Sequence, residues 1–358
     1  MAYHRPMPLR RVAVTLLAAA ALLRCVGDDS STNDGGQDAT TPDASSDAQP
    51  MDGSQDTGSD ASAQSHVYAA SFGTTTAPIY TAALLVFDAP LTSASQPTAV
   101  VTNGFTAPTD VEMIPLNAQQ GTTQQLLVVD PGAKKVFIFD LPITSASTPT
   151  ITLTLDFEAF DGAFDSVGNL WLVGSVSAVN LSGMGERFAP PFSNSSLPAQ
   201  SFTVPNAAEG SYAIYVNTLD DLLVTTTPSI STGHVYNIPT PFDASTPTPI
   251  EDNTSVVTPN GILLDVAAAK VFVSSFQGGV VDEFGAPILT GETPTAVGSG
   301  ALQYPARMAL NAGGNLAVAD TTKGLVVLAS PTFTSAVVTV PPQFGDAGYS
   351  YRAVMYGP

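Results

Sequence analysis

The stretch FDGAFDSVGNLWLVG, residues 160–174, contains two apolar segments separated by a short polar turn. Residues 160–165 and 169–174 predict two neighbouring strands, and residues 166–168 predict the turn between them. The second segment is apolar at almost every position, which is typical of a strand buried on both faces in the middle of packed sheets. We expect Trp171, the single tryptophan of the chain, to pack between two such sheets.

Segments of the same form recur along the chain every 46 to 52 residues. A turn and a second apolar run follow most of them, so the repeated unit begins with a strand, a turn and a buried second strand. The six copies are PTDVEMI ending at Ile114, AFDGAFD at Asp165, SYAIYVN at Asn217, PNGILLD at Asp265, PARMALN at Asn311 and YRAVMYG at Gly357.

A second marker gives the same period independently. In six places a large apolar or aromatic residue is followed three positions later by proline, and these copies lie 44 to 52 residues apart. Proline has no N–H to donate, so it belongs where a strand stops pairing. A strand-only repeat of this length is typical of the four-stranded blade of a β-propeller. The pairs are Phe87 with Pro90, Phe139 with Pro142, Phe188 with Pro191, Tyr236 with Pro239, Phe284 with Pro287, and Leu328 with Pro331.

The two ends of the repeat region complement each other. Residues 66–101 supply the later strands of a first blade but no inner strand, whereas residues 351–357 have the form of an inner strand that nothing completes. We therefore predict an all-β, six-bladed β-propeller over residues 66–358. It is closed when the C-terminal strand pairs into the first blade, because this pairing removes the open edges. A pair of β-sandwiches is the alternative fold, but it gives no reason for six alternating markers.

The charge balance of the chain is strongly acidic. The 358 residues include 31 Asp and Glu but only 11 Lys and Arg, which gives a formal net charge of −20. This balance disfavours contact with a phosphate backbone, so we expect no nucleic-acid partner. The 44% share of hydrophobic residues is ample for a core.

The first 25 residues predict an export signal. Basic residues precede the apolar run VAVTLLAAAALL, residues 12–23, which is too short to span a membrane as a helix. Cys25, the only cysteine, follows this run, and residues 22–25, LLRC, resemble a bacterial lipoprotein lipobox. The resemblance implies lipidation of Cys25 and a membrane anchor in the cell envelope, at the outer membrane or the cell surface. Arg24 stands where the lipobox has a small residue, so a secretory signal cut among residues 18–21 is the alternative.

Residues 26–65 predict a disordered acidic linker. They contain many aspartates, no Lys or Arg and almost no large apolar side chains, so they cannot bury enough surface to fold. The aspartates are scattered and do not form a loop that would hold calcium. The predicted organisation is a signal peptide over residues 1–25, the linker over 26–65 and the propeller over 66–358.

The repeat pattern over residues 67–358 resembles the NHL-repeat and gluconolactonase-like six-bladed propellers. Gluconolactonase-like enzymes hold a divalent cation in the central channel with Glu, Asn and Asp side chains, so the resemblance implies calcium and lactone hydrolysis. Residues 259–261, Pro-Asn-Gly, match a motif of that family and make Asn260 a candidate metal ligand. At the next repeat, residues 305–307 read Pro-Ala-Arg where Pro-Asp-Gly is expected, and Arg307 brings positive charge towards the site.

Four residues are candidates to line the central channel. Asp110 and Asp161 occupy equivalent places at the start of successive inner strands, so both could face the channel and share a cation or a polar ligand. Alternatively, each accepts backbone N–H bonds beside its strand, as short acidic side chains often do. Asn260 and Arg307 are the other two candidates, and the alternative role of Asn260 is to stabilise a turn.

Other catalytic arrangements lack the necessary residues. The predicted propeller contains no cysteine and two separated histidines, His66 and His234, so neither a thiol nucleophile nor a zinc-binding histidine cluster is expected. We therefore predict an exported, lipid-anchored binding or scaffold protein that needs no cofactor. Its ligand is a protein, a glycan or a small molecule. The alternative is a divalent-cation-dependent hydrolase of the gluconolactonase-like kind.

Overall fold

The computed structural model describes residues 66–73, 81–119, 121–177, 180–206, 209–227, 233–242, 245–342 and 350–358. The predicted signal peptide with Cys25 and the predicted acidic linker lie outside these ranges. None of the described residues belongs to a helix that is long and apolar enough to cross a membrane.

The described residues form six four-stranded antiparallel sheets, and each sheet is one blade of a β-propeller. Five blades use four consecutive strands, from β4 onward, and the first blade combines β1, β2 and β3 with β24. In chain order the strands are β1 (His66–Phe72), β2 (Ala83–Asp88), β3 (Ala99–Val101), β4 (Asp110–Met113), β5 (Gln125–Asp130), β6 (Lys135–Asp140), β7 (Ile151–Thr154), β8 (Glu158–Phe164), β9 (Leu170–Ser177), β10 (Asn180–Phe188), β11 (Gln200–Thr203), β12 (Gly210–Val216), β13 (Leu222–Thr227), β14 (His234–Ile238), β15 (Glu251–Asn253), β16 (Pro259–Asp265), β17 (Lys270–Ser275), β18 (Val280–Gly285), β19 (Thr295–Val297), β20 (Pro305–Leu310), β21 (Leu316–Asp320), β22 (Gly324–Leu328), β23 (Ala336–Val340) and β24 (Ser350–Gly357).

The C-terminal strand completes the first blade, which confirms the predicted closure. β24 pairs antiparallel with β1, from His66 opposite Gly357 to Phe72 opposite Ser350. The Ser350 N–H donates a hydrogen bond of 3.1 Å to the hydroxyl of Ser71, and this bond holds the start of β24 in register. The inner edge of β1 is therefore paired, so the ring presents no open edge there.

The innermost strands surround a central channel. β4, β8, β12, β16, β20 and β24 each contact the inner strand of the next blade, and the contacts run in a closed ring. The second strand of each blade lies behind the inner strand and is buried on both faces; β5, for example, is buried at all six positions. The continuous apolar pattern of these strands follows from this double burial.

The hydrophobic core lies between adjacent blades. Trp171 of β9, in the third blade, lies 5.9 Å from the ring of Phe202 and 5.8 Å from the ring of Phe242, which follows β14 of the fourth blade. The indole N–H of Trp171 donates to Asp165 at 3.0 Å, so its polar atom is satisfied. The tryptophan thus packs between two blades, as predicted.

The prolines of the second sequence marker follow the third strand of each blade. A cis X-Pro bond occurs there in every blade, at Pro90, Pro142, Pro191, Pro241, Pro287 and Pro331. In the fourth blade the cis residue is Pro241, whereas the sequence marker uses Pro239. The marker therefore identifies the correct loop in all six blades, but it is two residues early in the fourth.

Candidate functional site

The inner strands carry β-bulges near the end at which each begins. In β8 and β12 a single residue, Phe160 and Tyr212 respectively, has no partner on the second strand, and in β16 residues 260–261 lie opposite one residue. Bulges bend a strand and take backbone groups out of the ladder. As a result, one side chain in the channel donates hydrogen bonds to three backbone carbonyls, those of Phe160, Tyr212 and Asn260.

That side chain is Arg307, from the bulge of β20. Its Nη2 donates to the Phe160 carbonyl at 2.9 Å and to the Tyr212 carbonyl. Its Nη1 donates to the Asn260 carbonyl and, at 3.1 Å, to Asn260 Oδ1. Its Nε lies 3.0 Å from Asp161 Oδ1 and forms an ion pair. Arg307 is 7% exposed, so its guanidinium joins blades three to six as a buried crosslink.

Asp110 and Asp161 have equivalent roles in successive blades. Asp110 accepts a hydrogen bond of 3.2 Å from the Gly162 N–H, and Asp161 accepts one of 2.8 Å from the Ile214 N–H. In both cases the N–H belongs to the inner strand of the following blade. Each carboxylate therefore ties its own blade to the next, which accounts for why the same acid recurs at the same place in the repeat.

The channel carboxyl groups differ in their affinity for protons. Burial raises the pKa of Asp110 well above its ordinary value, and the carboxylates of Asp161 and Glu112 raise it further. Burial also raises the pKa of Asp161, but Arg307, the Ile214 N–H and a hydrogen bond from Asp110 each lower it. The ion pair with Arg307 thus favours the charged form of Asp161, and the proton shared by the two acids is favoured on Asp110. Burial, together with the charge of Asp161, raises the pKa of Glu112 to about 8.

A second arginine, Arg352, lies in the bulge of β24 near the beginning of that strand. Its guanidinium carbon lies 5.2 Å from the centre of the Phe72 ring and 5.3 Å from the centre of the Phe276 ring. Both contacts are close enough for cation–π attraction. Burial and the charge of Arg307 lower the pKa of Arg352 to about 10, so it is charged at neutral pH.

Four aromatic rings form two pairs at the end of the propeller where the inner strands begin; Phe276 belongs to this end because it follows the second strand β17. Phe160 and Tyr212 are stacked at 5.3 Å with 15° between their planes, and Phe276 lies 5.3 Å from Tyr304. Arg352 interacts electrostatically with Tyr212: burial raises the pKa of Tyr212, and the arginine partly opposes this shift. We call these four rings, together with Phe72 and Arg352, the channel mouth. Tyr304 is exposed, and the other five side chains are partly buried.

The channel does not fit a divalent cation of the kind that the gluconolactonase-like resemblance implies. The oxygens that would bind it, on Asp161 and Asn260, already bind the guanidinium of Arg307. A bound cation would therefore lie beside a fixed positive charge. Within the described ranges, no group of three or more His, Cys, Asp and Glu side chains is arranged to hold a metal ion.

The structure brings the four predicted channel residues together. Asp161 contacts Arg307, Arg307 contacts Asn260, and Asp110 shares a hydrogen bond with Asp161. The predicted lipidation site, Cys25, lies outside the described residues.

Sequence inspection missed the other residues of this region: Glu112, Phe160, Tyr212 and Arg352. Three of them could have been found by aligning the six inner strands, because Phe160, Tyr212 and Arg352 occupy the same place in the repeat as Asn260.

A separate cavity of about 370 Å³ lies at the other end of the strands, between the first and sixth blades. Pro90, Leu91, Val337, Val338 and the end of β24 line it, together with the turn that contains Asn311 and Asn315. Its lining is mostly apolar and contains no charged side chain. It is therefore distinct in place and chemistry from the channel mouth.

Comparison with known proteins supports the fold alone. No family model matches the sequence, and no curated protein matches it either. A crystal structure of a protein of unknown function from Bacteroides caccae is similar, with 10% identity and a TM-score of 0.54 over 81% of this chain and 97% of that one. A chain in the crystal structure of a nidogen/laminin complex is similar at 11% identity and a TM-score of 0.55, with the same two coverages.

Proposed function

We propose that this chain is an exported, lipid-anchored binding protein whose six-bladed propeller carries the ligand site. The observation that carries the proposal is the position of Arg307. Its guanidinium occupies the point where bulge carbonyls and an ionised carboxylate converge. The channel centre is thus a structural crosslink, and binding is left to the surfaces around it.

The sequence supports the cellular location in this proposal. An apolar run over residues 12–23 precedes Cys25, and a long acidic segment without Lys or Arg separates that cysteine from the first strand at His66. A lipid on Cys25 would anchor the chain, and the acidic segment would hold the propeller away from a membrane surface. The nidogen/laminin structure shows a similar fold in a protein complex, but its 11% identity supports no particular partner for this chain.

The alternative function is a cation-dependent hydrolase related to gluconolactonases or NHL-repeat proteins. One observation favours it: Asn260, in the Pro-Asn-Gly motif, does face the channel and lies near the carboxyl groups of Asp161 and Asp110. Arg307 argues against the hydrolase, because its guanidinium already binds the side-chain oxygens of Asp161 and Asn260 that a cation would need.

Calorimetric titration with calcium, followed by assays on a panel of lactones, separates the two functions. We expect no stoichiometric calcium site and no hydrolysis above the uncatalysed rate in the purified propeller, residues 66–358. The matched control is Asn260→Ala, which removes one side-chain oxygen and keeps the backbone carbonyl. A micromolar calcium site that disappears in Asn260→Ala, with calcium-dependent lactone hydrolysis, would overturn the binding proposal in favour of the hydrolase.

Fatty-acid labelling in a bacterial host tests the anchor. The full chain should incorporate the label and fractionate with membranes, whereas Cys25→Ser should do neither, because the thiol is the acylated atom. A wild-type protein that is released unlabelled after cleavage before residue 25 would show that the chain is exported without an anchor.

A further inference from the structure

Arg352 has no counterion among the described residues. Its guanidinium lies over the rings of Phe72 and Phe276, and its Nε is buried without a hydrogen-bond acceptor in the described part of the chain. A guanidinium usually pairs with a carboxylate or donates to several oxygens, because a partly buried cation without them loses much of its hydration. Arg352 instead has aromatic rings beside it and a buried Nε–H without an acceptor.

The other charges of the channel do not neutralise Arg352. Asp161 is already paired with Arg307 at 3.0 Å. Burial and the neighbouring carboxylates raise the pKa of Asp110, and burial raises the pKa of Glu112 to about 8, so both shifts favour the neutral acids over carboxylates that could pair with Arg352. Arg352 is therefore a cation without an ion-pair partner among the described residues, in a protein whose formal net charge is −20.

The surroundings of Arg352 are aromatic rather than polar. The stacked pair Phe160 and Tyr212 and the pair Phe276 and Tyr304 are partly exposed. Rings of this kind offer flat apolar faces to a ligand, and the Tyr212 hydroxyl lies within electrostatic reach of Arg352. A cation between such rings suits a ligand that has one anionic group and one planar apolar part.

We propose that the channel mouth binds a small organic carboxylate with a planar apolar body. The carboxylate pairs with the guanidinium of Arg352, for which its two oxygens are geometrically matched, and the body packs against the rings of Phe276 and Tyr212. The inference rests on the proposed binding function and adds the chemical class of the ligand and its location.

Calorimetry with the full chain tests the site, using phenylacetate and indole-3-acetate as probes. Their uncharged amides, phenylacetamide and indole-3-acetamide, are the matched ligands, and inorganic phosphate is the anion without an apolar body. We expect at least one carboxylate to bind with a Kd of about 1 mM or tighter, and its amide to bind at least about tenfold more weakly. Phosphate should not compete.

Two variants of the mouth and two controls locate the binding. Arg352→Gln should weaken carboxylate binding at least about tenfold, since it removes a charge-assisted contact. Phe276→Leu should weaken carboxylate and amide alike. Arg187→Gln is the matched control, because Arg187 also lies over an aromatic ring, 5.3 Å from Trp171, but on a third strand away from the channel. Val337→Arg tests the other cavity. Neither control should change the affinity.

Three outcomes would overturn this ligand assignment. In the first, neither carboxylate binds at about 1 mM. In the second, wild type and Arg352→Gln bind the carboxylate equally although both have the same thermal midpoint. In the third, the protein binds phosphate in preference to the carboxylates. If Arg352→Gln does not fold, an unchanged affinity in Phe276→Leu has the same meaning. None of these results produces a calcium site or lactone hydrolysis, so failure of the ligand assignment is distinguishable from failure of the binding function.

Discussion

Replacing Arg307 by Met tests whether the channel centre is a structural crosslink. The substitution keeps an apolar side chain of similar length and removes the guanidinium. Asp161, which is 3% exposed, then loses its ion pair, so its carboxylate form has no counterion. Breaking a buried pair in this way typically costs about 3–5 kcal/mol. Because total stabilities of domains are about 5–15 kcal/mol, the loss is a large fraction of the whole.

The expected loss depends on pH in a defined direction. Arg307 lowers the pKa of Asp161, so without it burial raises that pKa further above the ordinary value. A protonated Asp161 needs no counterion. The destabilisation by Arg307→Met should therefore be smaller at pH 5 than at pH 7. The double variant Arg307→Met/Asp161→Asn should recover part of the loss, because it leaves no buried charge.

Urea denaturation with linear extrapolation, at both pH values, measures these differences. The matched control is Lys270→Met. Lys270 pairs with Glu283 at 2.7 Å, but the two side chains are 32% and 18% exposed, so its loss should cost less than about 1 kcal/mol. If Arg307→Met costs no more than Lys270→Met, and Asp161→Asn shows no coupling to it, then the guanidinium does not hold the channel together.

Three further predictions concern closure, pH and the loops between blades. Deleting residues 350–358 should cause unfolding or aggregation, because it exposes the edge of β1 and removes three buried side chains, Tyr351, Val354 and Tyr356. Burial of these side chains stabilises the fold by about 5–9 kcal/mol together. A truncated propeller with the wild-type denaturation midpoint would disprove the need for closure. Wild-type stability should fall as pH rises from 4.5 to about 8 and then level off, since Glu112 has a raised folded pKa of about 8. The slope should reach at most about 1.4 kcal/mol per pH unit. Glu112→Gln should flatten this decline in thermal melts at a series of pH values, and parallel curves for the two proteins would refute it. Asp320→Ala should cost about 2–4 kcal/mol, because Asp320 accepts hydrogen bonds from the N–H groups of Gln303, Tyr304, Thr322 and Lys323; chemical denaturation measures this, with the exposed-loop variant Thr92→Ala as the control.

The repeat length and the strand pattern were readable from the sequence because each blade buries the same positions. A second strand such as β5 is apolar throughout since it packs on both faces, and this requirement recurs in every blade. The pairing of β24 with β1 followed from counting, because an incomplete first blade and an unmatched last strand complement each other. The recurrence of Asp110 and Asp161 was likewise visible in the sequence, which left open whether they face the channel or accept hydrogen bonds from backbone N–H groups.

The roles of the channel residues depended on distances that the sequence does not contain. Phe160, Tyr212 and Asn260 come from three successive repeats, and only the ring of blades brings their carbonyls to the guanidinium of Arg307. The same closure sets Arg352 between Phe72 and Phe276, which come from the first and fifth blades. The sequence pattern alone predicted the blades, because the burial of each strand is set by the strands and blades directly beside it and leaves the same apolar pattern in every repeat. The tertiary structure decided the chemistry of the channel, because each group there owes its charge and its partners to strands from other blades.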